Sequence, residues 1–219
     1  TPQGNTQDNN PVYTENQTKG RGQRDKEWLS APGESLTFSI ILRPEGIFQQ
    51  NSFSVIAQTA ISCYKMLKKY LPEGLSVKWP NDLYYADKKA GGILIESRMR
   101  NNLAEWMVVG IGINLNQPEE KLLTTATSIK KETGKPIHVK DFAMELIETL
   151  NDDFQYVFEN QQEGFLEVYN RLLYCRNKKA TLIYRGQSFE TIIRKVTNNG
   201  ELITGHGKFI QGDVQWKAL

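Results

Sequence analysis

Four short stretches of this 219-residue chain combine residue types that can work on anions. In Gln17-Thr18-Lys19-Gly20-Arg21-Gly22-Gln23-Arg24, glycines let backbone N–H groups turn toward a phosphate or carboxylate, while Lys19, Arg21 and Arg24 supply positive charge. No Gly-Lys-Ser/Thr follows, so this is not the usual nucleotide phosphate loop, and taken alone it reads more readily as a solvated basic turn. Trp28, just downstream, either covers a planar ligand or anchors the loop. In Lys78-Trp79-Pro80-Asn81-Asp82 a strand stops at the proline and presents Lys78, Asn81 and Asp82 near its carboxyl end. There Lys78 can meet a phosphate and Asp82 can orient an amine or a metal, or simply cap the turn. Lys88-Lys89-Ala90-Gly91-Gly92 places a lysine beside small residues that allow close backbone approach. In Val109-Gly110-Ile111-Gly112-Ile113-Asn114, alternate glycines leave a groove on one face of a strand. A dinucleotide fingerprint is excluded, because its third glycine is missing.

Composition narrows the chemistry further. Charged residues make up 24% and hydrophobic ones 39%, the balance of an ordinary globular protein. The formal charge of +2 gives no global basic field for nucleic acid. Two histidines, His138 and His206, argue against histidine-based zinc sites and against Ser-His or Cys-His triads. Two distant cysteines, Cys63 and Cys175, form no framework. With no apolar leader, they favour reduced thiols and a cytoplasmic setting. No apolar run has the roughly 18 residues of a membrane span.

The elements that must position these groups are legible from periodicity. Residues 1–11 read as loop, Val12 to Thr14 as a short strand, 16–34 as a long loop and Ser35 to Leu42 as a strongly apolar strand. Phe53, Ile56, Ala57, Ala60, Ile61, Tyr64 and Leu67 recur at three and four, predicting an amphipathic helix capped at Asn51 or Ser52. Leu75 to Trp79 is a short strand. Gly92 to Ser97 and Glu105 to Ile113 form a hairpin about Asn101-Asn102, with Ile93, Leu94, Ile95, Met107, Val108 and Val109 expected in the core. Residues 141–158 and 165–173 read as helices. After Cys175 the pattern changes to four short strands, at 179–184, 189–194, 201–204 and 213–216. The expected fold is therefore α+β, a mixed sheet backed by helices (1–176) followed by a small β-barrel (177–219).

Together the four stretches resemble the biotin protein ligase family, in the form without an N-terminal DNA-binding domain. The resemblance rests on Gln17-Thr18-x-Gly20-Arg21-Gly22, Trp28, Lys78-Trp79-Pro80-Asn81-Asp82-Leu83, Lys89 with Gly92-Ile93-Leu94, and Gly110-x-Gly112-Ile113-Asn114, in the family's order. It spans about residues 12–116, and more loosely the remainder, where the family has an SH3-like barrel. It implies activation of biotin by ATP to biotinyl-5′-AMP, then transfer to a lysine of a biotin carboxyl carrier protein, such as an acetyl-CoA carboxylase subunit. By similarity, Gln17, Arg21, Gly22, Gln23 and Lys89 lie at biotin. Arg21, Arg24, Lys78, Asn81 and Asn114 serve the nucleotide, Trp28 closes over the adenylate, and Gly20, Gly92, Gly110 and Gly112 shape the pocket. Lys89, Arg21 and Asp82 are the expected catalytic groups, with Asp82 orienting the incoming amine. Mg²⁺ is expected on the ATP phosphates rather than in a protein site. No nucleic-acid or membrane partner is implied, and a homodimer is compatible with the resemblance.

Two departures stand out. The family's Ser-Thr-Asn motif does not precede Gln17, and Gln23 and Asp25 replace an arginine and a glycine of the family loop. The alternative function is a non-catalytic biotin- or nucleotide-binding protein of the same fold.

Overall fold

A computed structural model of the chain describes residues 12–14, 17, 20–22, 27–28, 30–160 and 164–217. Its elements run β1 (Val12–Thr14), β2 (Gly20–Arg21), β3 (Glu27–Trp28), β4 (Ser35–Leu42), α1 (Ile47–Gln50), α2 (Ser52–Lys68), β5 (Leu75–Lys78), β6 (Asp82–Tyr85), β7 (Lys88–Arg100) and β8 (Leu103–Asn114). There follow α3 (Ile129–Thr133), α4 (Val139–Asn160), α5 (Phe165–Leu172), β9 (Lys179–Tyr184), β10 (Gln187–Val196), β11 (Leu202–Thr204), β12 (Gly207–Phe209) and β13 (Val214–Trp216).

Six strands form one sheet in the order β1-β4-β8-β7-β6-β5. Every ladder in it is antiparallel. The mixed character expected of the sheet is confined to two isolated parallel bridges, Val77 with Leu173 and Lys89 with Ala126. Because directly opposed residues in antiparallel strands share a face, the register defines two neighbouring rows. Val77, Leu83, Gly91, Ile113 and Leu36 form one row across five strands, and Lys78, Asp82, Gly92, Gly112 and Thr37 form the next. The first row is apolar and buried, and α2 packs against β5, β6 and β7.

α2 forms where the three-and-four spacing predicts it. Asn51 caps it by accepting a hydrogen bond from the Phe53 backbone N–H at 2.9 Å. Its last turn carries Lys65 and Lys68, which suit the negative end of the helix dipole. Pro72 and Gly74 (φ 80°) then end the run. The hairpin is longer than expected, and its alternation corrects the core assignment. Ile93, Met107 and Val109 are buried, whereas Leu94 and Val108 stand half-buried on the opposite face. The predicted 16–34 loop also carries a ladder, Gly20 opposite Trp28 and Arg21 opposite Glu27.

The C-terminal strands form a five-stranded antiparallel sheet, β12-β11-β10-β9-β13, consistent with the expected SH3-like barrel. Its apolar residues Leu182, Ile193, Val196, Leu202 and Val214 join the same hydrophobic core as the larger sheet. Polar ties reinforce the junction. Trp79 Nε1 donates to the Gly200 carbonyl at 2.9 Å and Trp216 Nε1 to the Trp79 carbonyl at 3.0 Å. Asn170 exchanges two hydrogen bonds with the Val196 backbone.

Candidate functional site

The second row faces away from the helices. At its centre Gly92 and Gly112 are opposed, so the floor there is bare backbone. A Cβ at Gly112 would lie only 2.5–2.9 Å from the Trp28 indole, and one at Gly92 would meet Asp82 Oδ1 and Lys89 Nζ, each at 3.2 Å. The glycines are therefore required by close approach: Trp28 lies on one, and an ion pair crowds the other. Trp28 reaches this position from β3, and its buried indole N–H has no hydrogen-bond partner among the described residues. An orphaned donor above a side-chain-free floor fits a site shaped for a planar or amide-bearing ligand.

Lys89 Nζ lies 2.6 Å from Asp82 Oδ1, with both side chains partly exposed. The backbone of Lys89 is fixed on both sides: its N–H donates to Thr125 O at 2.8 Å and its carbonyl accepts from Thr127 N at 2.9 Å. Asn114 completes this clamp. Its Nδ2 donates to Thr127 O at 2.9 Å and to Lys89 O at 3.4 Å, while its Oδ1 accepts from Gln117 Nε2 at 2.8 Å. Asn81 is also buried, with its amide donating to the Ile93 carbonyl and its own carbonyl accepting from Ile93 N at 3.0 Å. The two asparagines expected beside the nucleotide thus position the strands that carry Lys89, Asp82 and Gly92.

Farther along the same face stand Leu94 opposite Gly110, then Glu96 opposite Val108. Gly110 leaves ordinary contact distances to Leu94, with no crowding. Arg21 reaches this end from β2 and grips Glu96 with both terminal nitrogens, each at 3.0 Å. From Gly92 to Glu96 the strip is about 14 Å long at about 3.4 Å per residue. It has an ion pair at each end, with apolar Leu94 between them and Val108 opposite Glu96. Such a slot suits a small molecule with an apolar body and a carboxylate tip. Gln17 is half-buried, its Oε1 2.9 Å from where a Cβ at Gly20 would lie, and Gly22 is half-buried beside Arg21. Gln23 and Arg24, with Thr18 and Lys19, lie outside the described residues.

Lys78 sits at the edge of the second row, opposite Asp82, but its ammonium turns to aromatic rings. Nζ is 4.3 Å from the Tyr84 ring centroid, 5.2 Å from that of Trp216 and 5.4 Å from that of Tyr174, and it donates to Tyr84 Oη at 3.1 Å. Burial pushes its pKa below the ordinary lysine value, partly offset by Asp82. Burial and the Asp82 charge push the Tyr84 phenol up to about 12.

Sequence reasoning missed this box, and it missed Glu96. Tyr84 carried a faint signal, two residues after Asp82 on the same strand. Tyr174 and Trp216 carried none. Among the described residues no cluster of three or more His, Cys, Asp or Glu side chains is arranged to hold a metal. No helix of the described residues is long and apolar enough to cross a membrane.

The chain is similar to known proteins. The Biotin/lipoate A/B protein ligase family matches residues 1–114. The chain is 33% identical over 131 residues to the bifunctional ligase/repressor BirA of Bacillus subtilis, covering 58% of this chain and 40% of that relative. It is 31% identical over 137 residues to the biotin–[acetyl-CoA-carboxylase] ligase of Paracoccus denitrificans, covering 60% and 57%. It thus spans less than two thirds of these relatives. Among solved structures, the biotin protein ligase of Aquifex aeolicus in complex with biotin and ATP superposes with a TM-score of 0.78 at 25% identity, covering 95% of this chain and 89% of that one.

Proposed function

The chain belongs to the biotin/lipoate A/B protein ligase family, and on that premise we propose that it activates biotin with ATP and transfers it to a lysine of a biotin carboxyl carrier protein. The observation that carries this reading is the Lys89–Asp82 pair set against Gly92 on an open, glycine-floored strip. Support also comes from the Aquifex ligase, which was solved with biotin and ATP. The carrier is inferred from the Paracoccus relative, a ligase named for acetyl-CoA carboxylase.

In the first step a biotin carboxylate oxygen attacks the α-phosphorus of ATP. The bond to the bridging oxygen breaks, and pyrophosphate leaves with that electron pair. Two anions must approach, so Lys89 exchanges part of its contact with Asp82 for the carboxylate and a phosphate oxygen, and offsets their repulsion. The slot holds biotin's apolar body on Leu94 and Val108, with Gln17 and Gly22 beside it and Trp28 covering the adenylate. Lys78 faces a phosphate oxygen, Arg21 can join it only by leaving Glu96, and Mg²⁺ would arrive with ATP and would help to neutralise its phosphates. In the second step the carrier lysine's amine attacks the acyl carbon and AMP departs on its phosphate oxygen. Asp82, released from Lys89, orients that amine and accepts its proton. Neither step needs a histidine or a protein nucleophile.

Residues 1–176 form the catalytic unit and 177–219 the barrel; pairing of the C-terminal strands only with one another among the described residues supports that division. Pyrophosphate release from biotin plus ATP, followed by labelling of a carrier domain, tests the whole scheme. Binding of biotin without pyrophosphate release would replace it with a non-catalytic binding protein.

A further inference from the structure

Of the cations gathered on this face, two are already matched by carboxylates: Arg21 by Glu96 and Lys89 by Asp82. Lys78 has no ion-pair partner among the described residues. We propose that Tyr84, Tyr174 and Trp216 form an aromatic box that holds Lys78 as the site's uncompensated cation for a phosphate oxygen of the nucleotide, which makes Trp216 of the C-terminal sheet a positioning residue. This rests on the adenylate-forming reading above and adds the barrel's part in it.

All three rings lie within the roughly 6 Å over which a π face attracts an ammonium. They are locked in place. Trp216 Nε1 is tied to the Trp79 carbonyl at 3.0 Å, and Tyr174 Oη donates to Asp87 Oδ1 at 2.6 Å. The Tyr174 ring centroid is 5.3 Å from that of Tyr84 and 5.6 Å from that of Trp216. A π face stabilises the charge without consuming a donor. An ammonium has three donors, and only one is taken here, by Tyr84 Oη; the other two have no acceptor among the described residues. The ionisable neighbours are Asp82, Asp87, Cys175 and Lys89. A carboxylate pair in this place would spend the charge internally, whereas the box leaves it for substrate.

The test uses the full chain and three variants, with pyrophosphate release and calorimetric ATP binding measured side by side and melting curves as a check on folding. Trp216→Leu keeps apolar bulk but has no π face. It should raise the KM and Kd for ATP about tenfold, with KM for biotin and kcat within about twofold. Trp216→Phe loses the indole N–H but keeps a ring, and should return most of the ATP affinity. Trp216→Ala should match or exceed the leucine defect. Leucine equal to the parent protein would overturn the box, and so would phenylalanine as impaired as leucine. If the parent protein releases no pyrophosphate, the adenylation reading fails, and the ATP-binding comparison still decides the box.

Discussion

Two rows of residues, one position apart on the same strands, differ in almost everything. Val77, Leu83, Gly91, Ile113 and Leu36 are buried on the helix side, while Lys78, Asp82, Gly92, Gly112 and Thr37 lie on the opposite face. In the first, apolar side chains fill space. In the second, side chains are removed at the centre and charges stand at one end. The strand period of two lets one stretch of sequence serve both purposes, because alternate residues never compete for the same face. The rigid buried row is what keeps the open row in register.

Substitutions in each row should therefore fail differently. The largest effect is expected from Lys89→Ala, which should lower the rate of adenylate formation about 10²–10³-fold while leaving the melting temperature near that of the parent. A variant that releases pyrophosphate at the parental rate would remove Lys89 from the chemistry. Leu83→Ala, in the buried row, should cost about 2–5 kcal/mol in denaturant unfolding and leave KM for biotin within about twofold. A large KM change at unaltered stability would erase the contrast between the rows. Gly112→Ala puts a methyl where the Trp28 indole lies. Its cost should be about 1–3 kcal/mol of overpacking, relieved by displacement of the indole and read as a red shift in tryptophan emission with weaker biotin binding. Unchanged emission and binding would show that Trp28 does not rest on that floor.

The smallest effect concerns the thiols, both free. Burial pushes the Cys63 thiol, inside α2, far up and raises Cys175 as well. A raised pKa means less reactive thiolate at pH 8. Cys175 should alkylate slowly in the native protein and Cys63 only on unfolding. Equal rates would show that the helix layer over the buried row opens readily.

Much of the frame was legible because it is local. The spacing of Phe53 to Leu67 dictated α2, and the alternation in 105–113 dictated a strand. The short α1 and α3, and β6 and β12, escaped notice, because runs of three to five residues carry too little periodicity. Apolar character alone assigns Leu94 and Val108 to the core; their parity puts them half-buried on the opposite face instead. Asn81 and Asn114 are expected beside the nucleotide. Their amides, however, are engaged with the backbones of Ile93, Lys89 and Thr127.

The sequence by itself determined the residue types: cations beside glycines, one carboxylate after a strand-ending proline, and no histidine machinery. Those follow from composition and short-range spacing, which any reader of the chain can check. Only the tertiary structure decided which cation is neutralised and which stays unmatched. Glu96 stands 75 positions from Arg21, and Trp216 stands 137 from Trp79. Contacts at that separation depend on strand register and on the packing of one sheet against another, and no local pattern encodes either.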